Sequence, residues 1–335
     1  VGQTDRPDAS TFATTAGAFD TTAVRHLTGF LRIYDLGQSG AASLVYSSYI
    51  GGSQDSSGNT NNGLIDAQSG FVGIADIGSG SGTLTFVNNA GATLRQSAAT
   101  LTTFGSSSSA SSAGNFVNFT NAGTVEAAGG TLQFNQGFSG GPEGGTFTNT
   151  GLLDVGANRT LRVGGSMTTN DGTIATATGA VFQKPGGFTN AASGVIRGNG
   201  TIDVGAGNVL TNQGTLLAVG AIEHLGITGN LVLSGSSVVN VDVAGTTPGT
   251  QFDWIQVSGT TTVAGTLNAA LAGGFVPADG DRFPYITAAG GVSGTFTTLN
   301  LPQDFSAVST ATSAGLSFSA FQCAGTICWD GGAHS

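Results

Sequence analysis

Thr120-Asn121-Ala122-Gly123-Thr124-Val125 is a phrase to which the chain keeps returning. It comes back as Thr148-Asn149-Thr150-Gly151-Leu152-Leu153, as Thr169-Asn170-Asp171-Gly172-Thr173-Ile174 and as Thr211-Asn212-Gln213-Gly214-Thr215-Leu216. A stretched copy reads Thr189-Asn190-Ala191-Ala192-Ser193-Gly194-Val195-Ile196. Asn121, Asn149, Asn170, Asn190 and Asn212 are therefore separated by 28, 21, 20 and 22 residues. Self-similarity at such a period marks a stacked-repeat architecture, and about 21 residues is too short for a helical-pair repeat. It fits one coil of three short strands with their turns. The expected fold class is all-β, a right-handed parallel β-helix (β-solenoid).

Aligning the copies on their glycines sharpens the expectation. The second residue after each glycine is Val125, Leu153, Ile174, Ile196 and Leu216, an unbroken aliphatic column. The third is Glu126, Asp154, Ala175, Arg197 and Leu217, mostly polar. Side chains alternate across a strand, so the first column should form a core ladder and the second should face outward. The five asparagines should stack as a second ladder whose amides pair along the axis. Asn-x-Gly is also expected to mark a tight turn, because both residues tolerate positive φ.

Outward from these coils the period loosens. Residues 1–65 lack it and are expected to form an N-terminal cap or docking segment, since a solenoid end exposes unpaired strand edges. Within it, 24–34 reads as a strand or a short amphipathic helix. The run Leu44-Val45-Tyr46-Ser47-Ser48-Tyr49-Ile50 reads as a strand. Leu44, Val45, Tyr46, Tyr49 and Ile50 would form a docking strand that adds to a neighbour. Residues 66–230 carry the coils, with Asn88 to Leu94 a looser copy of the phrase. The stretches 105–114 and 137–145 are expected as exposed loops. Residues 231–320 should be a distal closing section. The tail, 321–335, holds Cys323 and Cys328, the only cysteines, and their short separation points to a small-loop disulfide in an oxidising compartment.

Composition removes several function classes. Charged residues make up 8 % of the chain, against about 25 % in an ordinary globular domain. The net charge is −10 and Lys184 is the single lysine, so neither a nucleic-acid-binding surface nor a polybasic membrane surface is expected. No run of about 18 apolar residues is present, so membrane insertion by a helix is not expected. The chain starts at Val1 without a basic and apolar leader, and any export signal is expected to have been removed.

No cofactor or metal is expected, and neither is catalysis. Glu126 and Asp154 should stand side by side outside, but a glycosidase needs two carboxylates flanking a bound bond. Asp203, Asp242, Asp253 and Asp281 show no clustering in sequence with Arg, His or Tyr. His26 and His224 have no visible partner. The sequons at Asn118, Asn158 and Asn199 are of a kind that arises by chance in a chain rich in Asn and Thr.

The distal wording Pro248-Gly249-Thr250-Gln251-Phe252-Asp253, Val257-Ser258-Gly259-Thr260, Gly280-Asp281-Arg282-Phe283 and Val292-Ser293-Gly294-Thr295-Phe296 resembles the distal part of autotransporter passenger domains of Gram-negative bacteria. The Thr-Asn-x-Gly coils are similar to that family and to filamentous-haemagglutinin-like adhesins. Together the resemblance spans about 80–320, without a translocator barrel, and the chain is expected to be a processed product or a portion of a longer precursor. The resemblance implies a secreted location, extracellular or at the cell surface. The function expected is a structural protein that self-assembles into a surface fibre by end-to-end packing. The alternatives are a monomeric adhesin for a glycan or host protein, with the loops at 105–114 and 137–145 as contact surface, and a polysaccharide lyase or hydrolase.

Overall fold

A computed structural model describes residues 2–4, 28–34, 44–50, 59–68, 71–74, 84–106, 117–135 and 144–320. In the repeat, the strand Thr124–Ala127 buries Val125 and Ala127 and turns Thr124 and Glu126 outward. The same alternation recurs at Leu152–Val155 and Thr173–Thr176. Each coil contributes one strand to each of three sheets. Sheet I runs from Asn59–Asn61 to Val292–Gly294, sheet II from Leu64–Ala67 to Thr298–Asn300, and sheet III starts at Phe71–Ile74. Sheets I and II have ten strands each, and successive coils pair in parallel throughout, for example Thr124 with Leu152 and Leu132 with Leu161. The chain folds as a right-handed parallel β-helix, with ten rungs among the described residues.

The core is a set of columns. Val125, Leu153, Ile174, Ile196 and Leu216 are register partners in sheet II and are wholly buried. The column continues to Ile65 and Leu94 on one side and to Val239, Leu267 and Leu299 on the other. In sheet I, Phe86, Phe119 and Phe147 stack with ring centroids 5.4 and 5.0 Å apart. Burying one such side chain contributes about 1.5–3 kcal/mol, so rung-on-rung stacking is the main stabilising term.

The corner between sheets I and II is closed by amides. Asn61, Asn88, Asn121, Asn149, Asn170 and Asn190 each pass a side-chain N–H to the amide oxygen of the next, ending on Asn212, over 2.7–2.8 Å. The other N–H meets a backbone carbonyl, as from Asn88 to Thr124 (2.9 Å) and from Asn170 to Gly172 (2.9 Å). All seven are buried, and a buried amide left unpaired would be costly. The ladder stops at Asn212 because Leu233 takes the next position.

The turn chemistry differs from the sequence expectation. None of these asparagines has a positive φ, and neither does Gly123, Gly151, Gly172, Gly194 or Gly214. The asparagine is selected by its ladder, and the glycine by crowding. A Cβ at Gly151 would run into the Gly123 carbonyl oxygen one rung below, and a Cβ at Gly172 into that of Gly151. Leu217 also departs from its outward column: it turns to φ 68° and is buried.

Rung length varies over a constant frame. Successive ladder asparagines lie 27, 33, 28, 21, 20 and 22 residues apart, the extra residues sitting in corners. The first rung starts at Asn59, and the same three sheets run on past residue 230. After rung ten the chain reverses. Ser313–Phe318 pairs antiparallel with Arg282–Ala288 of sheet III, and Phe305–Ser309 pairs outside it as the last strand. A separate antiparallel sheet contains β1 (Gly2–Thr4), β2 (Thr28–Tyr34) and β3 (Leu44–Ile50), with β3 at an edge. The 24–34 region thus contributes a strand. Cys323, Cys328 and most of the stretches 105–114 and 137–145 lie outside the described residues.

Candidate functional surfaces

Strand register brings the outward column of sheet II together as Asp66, Arg95, Glu126, Asp154, Ala175 and Arg197. Glu126 and Asp154 are direct partners on neighbouring strands, so their backbones lie about 4.7–4.9 Å apart. Arg95 Nε meets Glu126 Oε2 at 2.7 Å, with side chains 40 % and 26 % exposed. Partial burial, then the Glu126 charge, holds the Asp154 carboxyl above its ordinary range, while Arg197 pulls it down. Glu126 is thus occupied by Arg95. The arrangement is a cross-strand charge ladder. Beyond Arg197 the column is interrupted at buried Leu217, outside the paired strand, and continues in register as Asn240, Asn268 and Asn300. Asn268 donates to Asn240 (3.0 Å) and Asn300 to Asn268 (2.8 Å).

A second cluster sits where sheet II turns towards sheet III in the seventh and eighth rungs. Asp253 is fully buried, and each of its carboxylate oxygens accepts a backbone N–H, from Glu223 at 2.5 Å and from Asp242 at 2.6 Å. Asp242 in turn accepts from Gly220 N (2.5 Å) and Glu223 from Ala218 N (2.8 Å). Burial pushes the Asp253 carboxyl up to about 7. Its two N–H bonds oppose the shift, and the charges of Asp242 and Glu223 add to it. The three carboxylates tie backbone to backbone. Among the described residues no three His, Cys, Asp or Glu are grouped so as to hold a metal ion.

An open groove of about 930 Å³ follows the corner from sheet III to sheet I over rungs four to seven. Gly145, Gly165, Gly186 and Gly207 form part of its wall, each at positive φ, with Ser166, Thr168, Thr189 and Thr211 bringing hydroxyls. Lys184 also reaches the groove; its ammonium donates to the Pro185 carbonyl at 2.7 Å. Among the described residues no carboxylate side chain lines it.

Other residues singled out in sequence have structural placements. His224 stacks on Trp254 with centroids 4.4 Å apart, and Trp254 Nε1 donates to Thr287 Oγ1 at 2.9 Å. Asn118 accepts from Thr146 N and Asn199 from His224 N. Asp281 accepts from Ala278 N in a local turn. His26 lies outside the described residues. Sequence reasoning missed the Asn240, Asn268 and Asn300 ladder, although each follows the aliphatic column residue of its rung (Val239, Leu267, Leu299), which is a usable signal. It also missed the Asp253 knot, whose partners are backbone groups with no side-chain signature.

The remaining surface is the C-terminal end. Its last strands, Val292–Gly294, Thr298–Asn300 and Phe305–Ser309, contain no charged residue and no proline. Leu299, in the core column, is 46 % exposed, whereas Ile65 on the first rung is 8 % exposed. No protein-family model matches this chain, and no curated protein matches it.

Proposed function

We propose that this chain is an extracellular structural protein of a bacterial surface whose rods join end to end into a fibre. The observation that supports this reading is that three strands at the C-terminal end of the described residues carry no charge. Natural sheets protect free edges with lysines, prolines, bulges or a covering element, because an unprotected edge recruits another strand. Here three successive edges lack charge and proline, and Leu299 holds an exposed position in the core column. A head-to-tail contact that does not close generates an open filament. The low-charge surface, rich in Ser, Thr, Asn and Gly, fits a secreted fibre. Electron microscopy of the purified chain over a concentration series tests the reading: long regular filaments are expected, and isolated short rods at every concentration would overturn it. Leu299→Lys, which places a charge at the joint, should raise the concentration at which filaments appear at least tenfold.

The groove over rungs four to seven favours one second reading, adhesion to a surface glycan. Its hydroxyl-rich wall, with no carboxylate among the described lining residues, suits a neutral or acidic sugar chain. Thr189→Trp, which would fill the groove from a strand position, should then abolish binding in a glycan screen. Unchanged binding would place the contact elsewhere.

A further inference from the structure

Two unprotected edges in the described chain are complementary in length. β3 is a seven-residue strand, Leu-Val-Tyr-Ser-Ser-Tyr-Ile, with one side paired to β2 and the other unpaired among the described residues. It carries no charge and no proline. At the opposite end of the sequence, Phe305–Ser309 is the outermost strand of sheet III and is also uncharged. The other two C-terminal edges, Val292–Gly294 and Thr298–Asn300, have three residues each. Phe305–Ser309 has five, so it offers the longest ladder to an incoming strand.

The first rung is a poor recipient. Asn61, Ile65 and Ala67 are buried although they belong to the terminal strands of sheets I and II. Simple rung-on-rung stacking would need those side chains open to a second copy. The C-terminal edge therefore requires a different partner strand, and β3 is one.

We propose that the joint is made by strand addition: β3 of one copy pairs with Phe305–Ser309 of the next and extends its sheet III. This deepens, and rests on, the end-to-end reading. Backbone geometry identifies which groups on the receiving strand are available. Thr310 N donates to Ser313 and Ser319 N to Asp304, so in this antiparallel pair the hydrogen-bonded positions are Asp304, Ser306, Val308 and Thr310. Ala307 and Ser309 turn their N–H and C=O groups outward, towards the incoming strand, and Phe305 turns its C=O there while its N–H donates to the Pro302 carbonyl at 3.3 Å. Ala307→Pro deletes the central outward donor without removing a bond to Ser313–Phe318, and proline is tolerated on an edge strand. On the other side of the joint, Ser47→Lys protects β3 against pairing in the way natural edges are protected.

The test combines the variants with the wild-type chain. Each variant is first shown to melt as the wild type does. Filaments are then counted by electron microscopy for wild type, for Ala307→Pro alone, for Ser47→Lys alone and for mixtures. The expected result is filaments from wild type and none from either variant. Because Ala307→Pro keeps β3, it should still add to one end of a growing filament and stop it there. Mean filament length should then fall as the fraction of Ala307→Pro rises. Filaments of normal length from either variant alone would overturn the joint and leave the fibre reading intact. Wild-type rods that never associate would overturn both.

Discussion

The rungs between residues 117 and 212 and those between 230 and 300 share one frame but close their corners differently. In the first set a single residue type solves the same problem five times. Asn121, Asn149, Asn170 and Asn190 pass hydrogen bonds forward, each to the next rung, and Asn212 receives the last. In the second set that corner is held by Leu233, Val263 and Gly294 in the same register. Polar pairing moves to the face of sheet II, where Asn268 donates backward to Asn240, and to the next corner, where buried carboxylates hold backbone N–H groups. Backbone pairing fixes the distance between rungs everywhere. The corners are free to use any chemistry that leaves no buried polar atom unpaired.

The comparison breaks most visibly in the middle of the first ladder. Asn149→Leu imitates what the chain itself does at Leu233, but with an amide on both sides. It strands an N–H of Asn121 and the amide oxygen of Asn170 in a dry corner. Each unpaired buried group costs about 1–3 kcal/mol, so the expected loss is about 2–6 kcal/mol. Asn212→Leu lies at the end, where only the Asn190 N–H loses its partner, and should cost about half as much. Urea denaturation of both variants reads the difference; equal losses would mean that the ladder does not act as a chain of pairs.

In the second set the corresponding change is Asp253→Asn. An amide can accept only with its oxygen, so one of the N–H groups of Glu223 and Asp242 loses its acceptor. Below neutral pH the expected loss is about 1–3 kcal/mol. The sign reverses with pH. The wild-type carboxyl sits at about 7 in the folded chain, above its ordinary 3.8, so folding favours the protonated form. That contribution is complete below the ordinary value and is lost as pH rises through about 7. Thermal melts should show wild type losing stability between about pH 4 and pH 7, the interval between the ordinary and the folded value, while Asp253→Asn loses less. A wild-type melting temperature that stays level across that interval would contradict the assignment.

These two sites also explain what could be read in advance. An amide ladder needs the same residue at the same place in consecutive rungs, so the chain repeats itself and the period becomes visible. The column Val125, Leu153, Ile174, Ile196 and Leu216 is legible for the same reason. Asn61 was hidden by long corners, which separate it from Asn88 by 27 residues and Asn88 from Asn121 by 33. Leu217 was misread because its backbone leaves the strand immediately after Leu216. The Asp253 knot leaves no trace in sequence, since a carboxylate bound to backbone N–H groups requires nothing particular of its neighbours' side chains. Asn-x-Gly gave the right repeat for the wrong local reason: positive φ was expected, whereas crowding against the rung below excludes the Cβ.

The smallest effect separates the two ends of the outward column in sheet II. At the N-terminal end, Arg95 and Glu126 interact across strands as partly exposed charges. At the C-terminal end, Asn240 and Asn268 occupy the same column as a neutral amide pair. Exposed ion pairs are worth at most about 1 kcal/mol, and that value is screened as the Debye length falls to about 3 Å at 1 M salt. Arg95→Ala should therefore lower the urea midpoint slightly in dilute buffer and not at all in concentrated salt. Asn268→Ala removes both a neutral pair to Asn240 and the partner of Asn300, and its cost should be the same in both solutions. A double set of urea titrations makes the distinction. If Arg95→Ala cost as much in high salt as in low, the side chain would be acting through packing of its aliphatic stem on sheet II, and the column would not be an electrostatic ladder at either end.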